Sequence, residues 1–400
     1  MSYRQVLATP GVRPWAIVTL GTRLTVATVP LGGVLLAAGV LDSFAIGGLL
    51  AGGYAAGETL LAPVMGRRAQ RGRLRRELTL AITAEAALIL ATLAVLAVDR
   101  RWWPVAVATM AAAGGAASGL PGALRSYIAG SVDRAARDRA LSVDNIINQV
   151  NWLVGPALAA VGSAVISPWA PLTIVVSALV CTLPAVARLP TRAVDSDPGP
   201  RETLRTPALL RRIILPIVAS ALIMASMATL DVLIPARVAA DGVPPVLSGL
   251  ALGGLAAAAM VASALYGARR WPGSPTRHAQ VGLLAIAVLV WAIGISGPAW
   301  LALSLCVAVG FAEAPALLGR NIALTEQIPE DQWTVGFSLL YSAAGLGYTA
   351  GATIAGQVFE HVGVGAAFEV IGVMVVALGT LTMMIEGIVN RRRTRQTLGG

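Results

Sequence analysis

Twelve apolar stretches, each long enough to cross a bilayer, follow one another along this chain with only short polar breaks between them. Membrane hydrocarbon is about 30 Å thick, so a helix rising about 1.5 Å per residue needs roughly 20 apolar residues to span it. Such runs are read at about 15–40, 43–66, 76–98, 103–127, 140–165, 170–189, 211–237, 246–268, 279–297, 299–321, 333–357 and 364–389. The segments 43–66 and 246–268 are rich in Gly and Ala, which suits close packing of helix on helix. Composition points the same way. Only 12% of residues are charged, 56% are hydrophobic and the mean hydropathy is +0.75. A soluble domain carries roughly 25% charged residues. Half that charge cannot cover a globular surface, so lipid is the expected solvent.

All 30 basic residues are Arg, and the net charge is +10. A basic chain of this kind raises the question of nucleic acid, but the arginines sit in short loops between apolar runs, so no nucleic-acid partner is expected. They suit membrane orientation instead. Arg125 and Arg320 stand at the inner ends of runs four and ten, Arg100, Arg101 and Arg237 fall on the opposite side, and Arg23 lies within run one. The other arginines all fall in the tails, the even-numbered loops and the central linker. With twelve spans every Arg-rich loop and both termini share one side, which the positive-inside rule makes the cytoplasm. Arg4 and Arg13 precede a first run too long for a signal-peptide core, which therefore reads as the first span. Cys181 and Cys306 lie inside apolar runs and His278 and His361 in loops far apart, so no disulfide, metal site or cofactor is expected.

The chain also repeats itself. A basic loop running from Gly66 through Gly72 to Arg76 has a counterpart from Gly267 through Gly273 to Arg277. Pro121-Gly-Ala-Leu-Arg125 is echoed by Pro315-Ala-Leu-Leu-Gly-Arg320. The expected plan is a six-helix bundle over 1–189, a cytoplasmic linker at 190–210, a second six-helix bundle over 211–390 and a basic cytoplasmic tail at 391–400. Two parallel halves enclosing a midplane site form a transporter architecture.

Over nearly its whole length the chain resembles the major facilitator superfamily, in particular its bacterial twelve-helix drug and metabolite exporters. The family's signature between helices two and three is matched by Gly66, Arg71, Gly72 and Arg73 when the loop is taken one residue short. Gln70 stands where the family has an acid that helps latch the two halves. Gly155-Pro156, followed by Ala159, Ala160 and Gly162, resembles the family's antiporter motif in helix five, with Asn151 in place of the leading Gly. The export signature of helix four, a mid-membrane Arg followed by Gln-Gly, is absent, and Arg125 sits nearer the inner end. The resemblance implies an all-α membrane fold and a multi-pass protein of the bacterial cell membrane, with the motifs acting either in gating or, more plainly, as a packing kink at Gly155-Pro156 and a topology signal in the basic loop. As physics, Gly155-Pro156 removes a backbone donor and allows a bend with close packing.

A charge in mid-membrane costs on the order of 2.5–3.5 kcal/mol on insertion scales, so each needs a reason. Arg23 and Glu58 reach similar depth on neighbouring antiparallel helices, so an ion pair between them is expected, either a structural pair or a switch in which Glu58 releases Arg23 when it takes a proton. Glu85 lies at comparable depth, Glu313 near the middle of run ten, and Asp231 toward the outer end of run seven, six residues before its expected partner Arg237. Asp144 opens run five, with Arg125 as its natural partner. Asn148 and Asn151 share its helix face and are expected to meet a cavity rather than lipid. Trp152, Tyr341 and Tyr348 are further cavity candidates. Deep acids outnumber the one deep base. Burial favours the neutral form of a carboxyl, so Glu58, Glu85, Glu313 and Asp231 are candidates to carry a coupling proton. The leading expectation is a proton-coupled antiporter exporting small organic molecules, neutral or cationic, and acting as a functional monomer. The alternative is an uptake symporter or facilitator for a nutrient. No catalytic constellation is found, so an enzyme is not expected.

Overall fold

The computed structural model describes residues 3–71, 73–190, 206–244 and 246–398. Fourteen α-helices account for nearly all of them, with no strand among the described residues. In chain order they are α1 (Tyr3–Ala8), α2 (Val12–Leu41), α3 (Phe44–Arg71), α4 (Leu74–Val98), α5 (Trp103–Ala117), α6 (Leu120–Gly130), α7 (Arg137–Val165), α8 (Ala170–Ala187), α9 (Thr206–Ala240), α10 (Val246–Ala268), α11 (Pro275–Ile295), α12 (Ala299–Gln327), α13 (Trp333–Val362) and α14 (Val364–Leu398). Each apolar run falls on one of these helices except the fourth, which is divided. Ser118 and Gly119 interrupt it between α5 and α6, just ahead of Pro121, whose ring favours the first turn of a helix. Among the described residues nine helices are long and apolar enough to cross a membrane.

The basic segment opening at Gly66 is mostly not a loop. α3 runs on to Arg71 and α4 begins at Leu74, with Arg73 in extended conformation just ahead of it. Arginines in a last turn complement the negative end of the helix dipole, which favours this extension. The second basic segment does turn, through Gly273 at φ +102, a left-handed conformation that suits glycine. There His278 belongs to the first turn of α11, and its ring bonds the Tyr266 hydroxyl and the Pro272 carbonyl. Most of the expected linker lies outside the described residues, as do Gly72, Gly399 and Gly400.

The chain divides into two compact units. One comprises Met1–Arg205 with Ile328–Ser342, the other Thr206–Gln327 with Ala343–Gly400. In the first, α2 packs on α3, α7 and α8, while α5 lies against α3 and α4. Trp15, Leu36, Leu50, Tyr54, Ile82, Ile89 and Met110 fill its core. In the second, α12 packs on α9, α10 and α11, and α14 on α9 and α11. Its core holds Ile223, Leu233, Ile286, Val290, Cys306 and Phe368. Cys181, by contrast, is exposed on α8.

Glycines set the tightest helix contacts. A Cβ on Gly57 would lie 1.9 Å from the Ala111 carbonyl oxygen, and one on Gly114 2.1 Å from that of Tyr54. α3 and α5 therefore touch backbone to backbone. The same contact recurs in the second unit, where a Cβ on Gly310 would meet the Leu255 carbonyl oxygen at 2.1 Å. Gly57→Ala must push α3 off α5, and overpacking of this kind costs about 1–3 kcal/mol or more. The thermal midpoint of Gly57→Ala in detergent is expected to fall clearly below that of Gly52→Ala, whose Cβ would meet nothing within 4 Å. Equal midpoints would mean the helices part without cost.

Candidate functional site

The deep charges of the first unit are grouped by α2, α3, α4, α6, α7 and the start of α13. Arg23 does not pair with Glu58. Its terminal nitrogens donate to the Asp144 carboxylate and to the Asp144 backbone carbonyl, both at 2.6 Å. Arg125 donates from Nε to the second carboxylate oxygen at 2.7 Å, the partnership expected from the sequence. Two guanidiniums thus share one carboxylate, all three residues being buried. Arg125 also lies 5.8 Å over the Phe337 ring.

Glu58 is 7% exposed and accepts from the Tyr341 hydroxyl at 2.8 Å. Glu85 is fully buried and accepts from the Tyr54 hydroxyl at 2.8 Å, while its other oxygen is buried with no hydrogen-bond partner. Tyr54 and Glu58 stand one turn apart on α3, so both acids meet that helix. Among the described residues neither acid makes an ion pair. Tyr341, bonded to Glu58, also lies within electrostatic reach of Arg23 and Arg125. Tyr54 was missed by the sequence reading, although its four-residue spacing from Glu58 was a readable signal.

In the second unit Asp231 is not tied to Arg237. Arg237 donates to Asp241 at 2.8 Å and to the carbonyls of Ser296 and Gly297. Asp231 is exposed and accepts from the Tyr348 hydroxyl at 2.7 Å. Glu313 is buried on α12, away from that pair in sequence. On α7 the buried polar face carries Asp144, Asn145, Gln149 and Asn151, with Asn148 only partly buried. Asn151 donates to the Ile147 carbonyl within its own helix. Trp152, four residues after Asn148, is 41% exposed. Pro156 sits inside α7, and a Cβ on Gly155 would lie 2.6 Å from that of Ala27, so this pair brings α7 close to α2.

Gly66 has a packing role. Cβ atoms on Gly66 and Gly122 would lie 2.3 Å and 2.2 Å from the Ser338 hydroxyl oxygen, so α3 and α6 together form a cradle for the first turns of α13. Arg137 holds the same stretch through its guanidinium 4.6 Å over Trp333. Gly66→Ala is expected to lower the thermal midpoint by several degrees, on the scale of about 1–3 kcal/mol for overpacking. Adding Ser338→Gly is expected to restore part of the loss. No drop, or no rescue, would remove the cradle.

The family profile described as Major Facilitator Superfamily matches residues 16–316. The chain belongs to the major facilitator superfamily. As a member of the major facilitator superfamily it is a multi-pass membrane transporter, of a family whose members are generally not enzymes. Among curated proteins none matches the sequence. Solved structures share the superfamily fold. The human organic anion transporter MFSD10 (TETRAN) is 18% identical with a TM-score of 0.71, covering 95% of this chain and 99% of that one. A bacterial homologue of the iron transporter ferroportin, in an outward-facing state with soaked iron, is 14% identical at TM-score 0.72, covering 95% and 97%. The proton:xylose symporter XylE bound to 6-bromo-6-deoxy-D-glucose is 13% identical at TM-score 0.71, covering 94% and 96%. At such identities the likeness is one of fold.

Proposed function

We propose that this superfamily member is a proton-coupled antiporter that exports small organic molecules, neutral or cationic, by alternating access across a bacterial cell membrane. The observation that carries the reading is the pair Glu58 and Glu85, two buried carboxyls that each hold a tyrosine hydroxyl and no cation. Moving an ionised carboxylate out of water costs several kcal/mol unless a cation repays it. A neutral acid satisfied by a hydroxyl costs far less. Such a group alternates between states as its surroundings wet and dry, which is what a proton carrier must do. Asp231, exposed on α9 beside Tyr348, and Glu313, buried on α12, are further candidates. The Asp144 triad is the fixed charge framework beside the carriers. Gly155-Pro156 on α7, with its family resemblance, favours antiport. XylE is a proton symporter on this fold, so the fold accommodates proton coupling.

Twelve spans in two six-helix halves, both termini in the cytoplasm and a functional monomer complete the proposal. The test uses purified protein in liposomes with a pH-sensitive dye trapped inside and an imposed proton gradient. Lipophilic cations, neutral antibiotics, sugars and amino acids are added in turn. Substrate-dependent proton movement opposite to substrate flux is the expected result and gives the substrate class. Movement in the same direction would make the protein a symporter. Substrate flux with no proton movement would leave a facilitator.

A further inference from the structure

The second feature of α3 lies on its other side. Tyr54, Glu58, Ala62 and Gly66 are buried at four-residue steps. Opposite them Leu60 and Val64 are 69% and 54% exposed, and the same stripe continues into Arg68, flanked by Arg67 and Arg71, all three exposed. A groove of about 500 Å³ opens here, lined by Val64, Arg67, Arg68, Arg71 and Glu77. Arg68 is held by Glu77 through Nε at 2.8 Å. Three guanidiniums and one carboxylate thus line the groove at the C-terminal end of α3.

We propose that this groove binds the headgroup of an acidic phospholipid, with its acyl chains laid along Leu60 and Val64. A guanidinium fork matches the oxygens of a phosphate in pairs, and basic pockets beside spanning helices attract anionic headgroups. The apolar stripe decides the source of the phosphate. Leu60 and Val64 precede the arginines on the same face by one to two turns, within the apolar run 43–66. A soluble phosphate has nothing to place there, and a soluble partner cannot reach it. A phospholipid has both parts in the required order. The site is separate from Glu58, which sits on the opposite face of α3, so it stands whatever the coupling ion proves to be.

The test uses the full chain in detergent, with its thermal midpoint followed while phosphatidylglycerol, phosphatidylcholine or inorganic phosphate is added. Phosphatidylglycerol is expected to raise the midpoint saturably, and the other two to leave it unchanged. In Arg68→Gln/Arg71→Gln the apparent affinity is expected to weaken about fivefold for each arginine removed. In Glu77→Gln, which keeps every arginine and removes the competing carboxylate, it is expected to tighten. Arg269→Gln/Arg270→Gln, at the basic end of α10, is expected to leave it unchanged. Equal shifts from phosphatidylglycerol and phosphatidylcholine would overturn the proposal. An effect reproduced by inorganic phosphate would make this a small-anion site rather than a lipid site. Unchanged affinity in both the double arginine variant and Glu77→Gln would place any lipid binding elsewhere.

Discussion

Asp144→Asn is expected to destabilise the first unit by about 3–5 kcal/mol, the range for breaking a buried ion pair by removing one partner. The asparagine carbonyl can still accept one hydrogen bond, but the carboxylate that neutralises Arg23 and Arg125 together is gone. Two buried like charges then face each other without an anion between them. Burial rules out solvent screening as a remedy, since Asp144 is 1% exposed. Arg125→Gln makes the contrast. It leaves Arg23 and Asp144 as a neutral pair joined by two hydrogen bonds, so its cost is expected to be distinctly smaller. Thermal midpoints and the monodisperse yield in detergent read both. An Asp144→Asn protein as stable as Arg125→Gln would show that the triad is not held together by its shared acid.

The second large effect is functional. Glu58→Gln and Glu85→Gln keep the shape of the side chain and the acceptor for Tyr341 or Tyr54. They remove only the ability to bind and release a proton. At the residue that carries the coupling proton, transport driven by a proton gradient is expected to be abolished, while exchange of labelled for unlabelled substrate continues. That split separates coupling from folding, because a collapsed protein loses both. Glu313→Gln and Asp231→Asn extend the series to the second unit. Gradient-driven transport surviving in all four would overturn the assignment of the coupling proton to these carboxyls.

Much of the fold was readable because membrane helices announce themselves by length and apolarity, which need no tertiary information. The break at Ser118 and Gly119 was not, since the residues on both sides are equally apolar and the interruption spans two positions. The basic end of α3 looks like loop in the sequence because polarity alone separates water from lipid, not helix from coil. At the site, depth reckoning put Arg23 level with Glu58 but said nothing about direction around the helix axis. α2 packs on both α3 and α7, and the guanidinium turned to α7. Arg237 is decided by helix face. Residues six apart lie on different faces of a helix, whereas Asp241, four residues on, lies on the same one. Spacing alone was enough to find that pair.

The two cysteines give the folded chain a readout of its own. Cys181 faces outward on α8, whereas Cys306 is fully buried in the core of the second unit. A membrane-permeant maleimide therefore meets one thiol per folded molecule and two once that core has opened. Labelling stoichiometry, counted by intact mass as denaturant rises, follows the opening of the second unit alone, and a cysteine-free first unit needs only the replacement of Cys181.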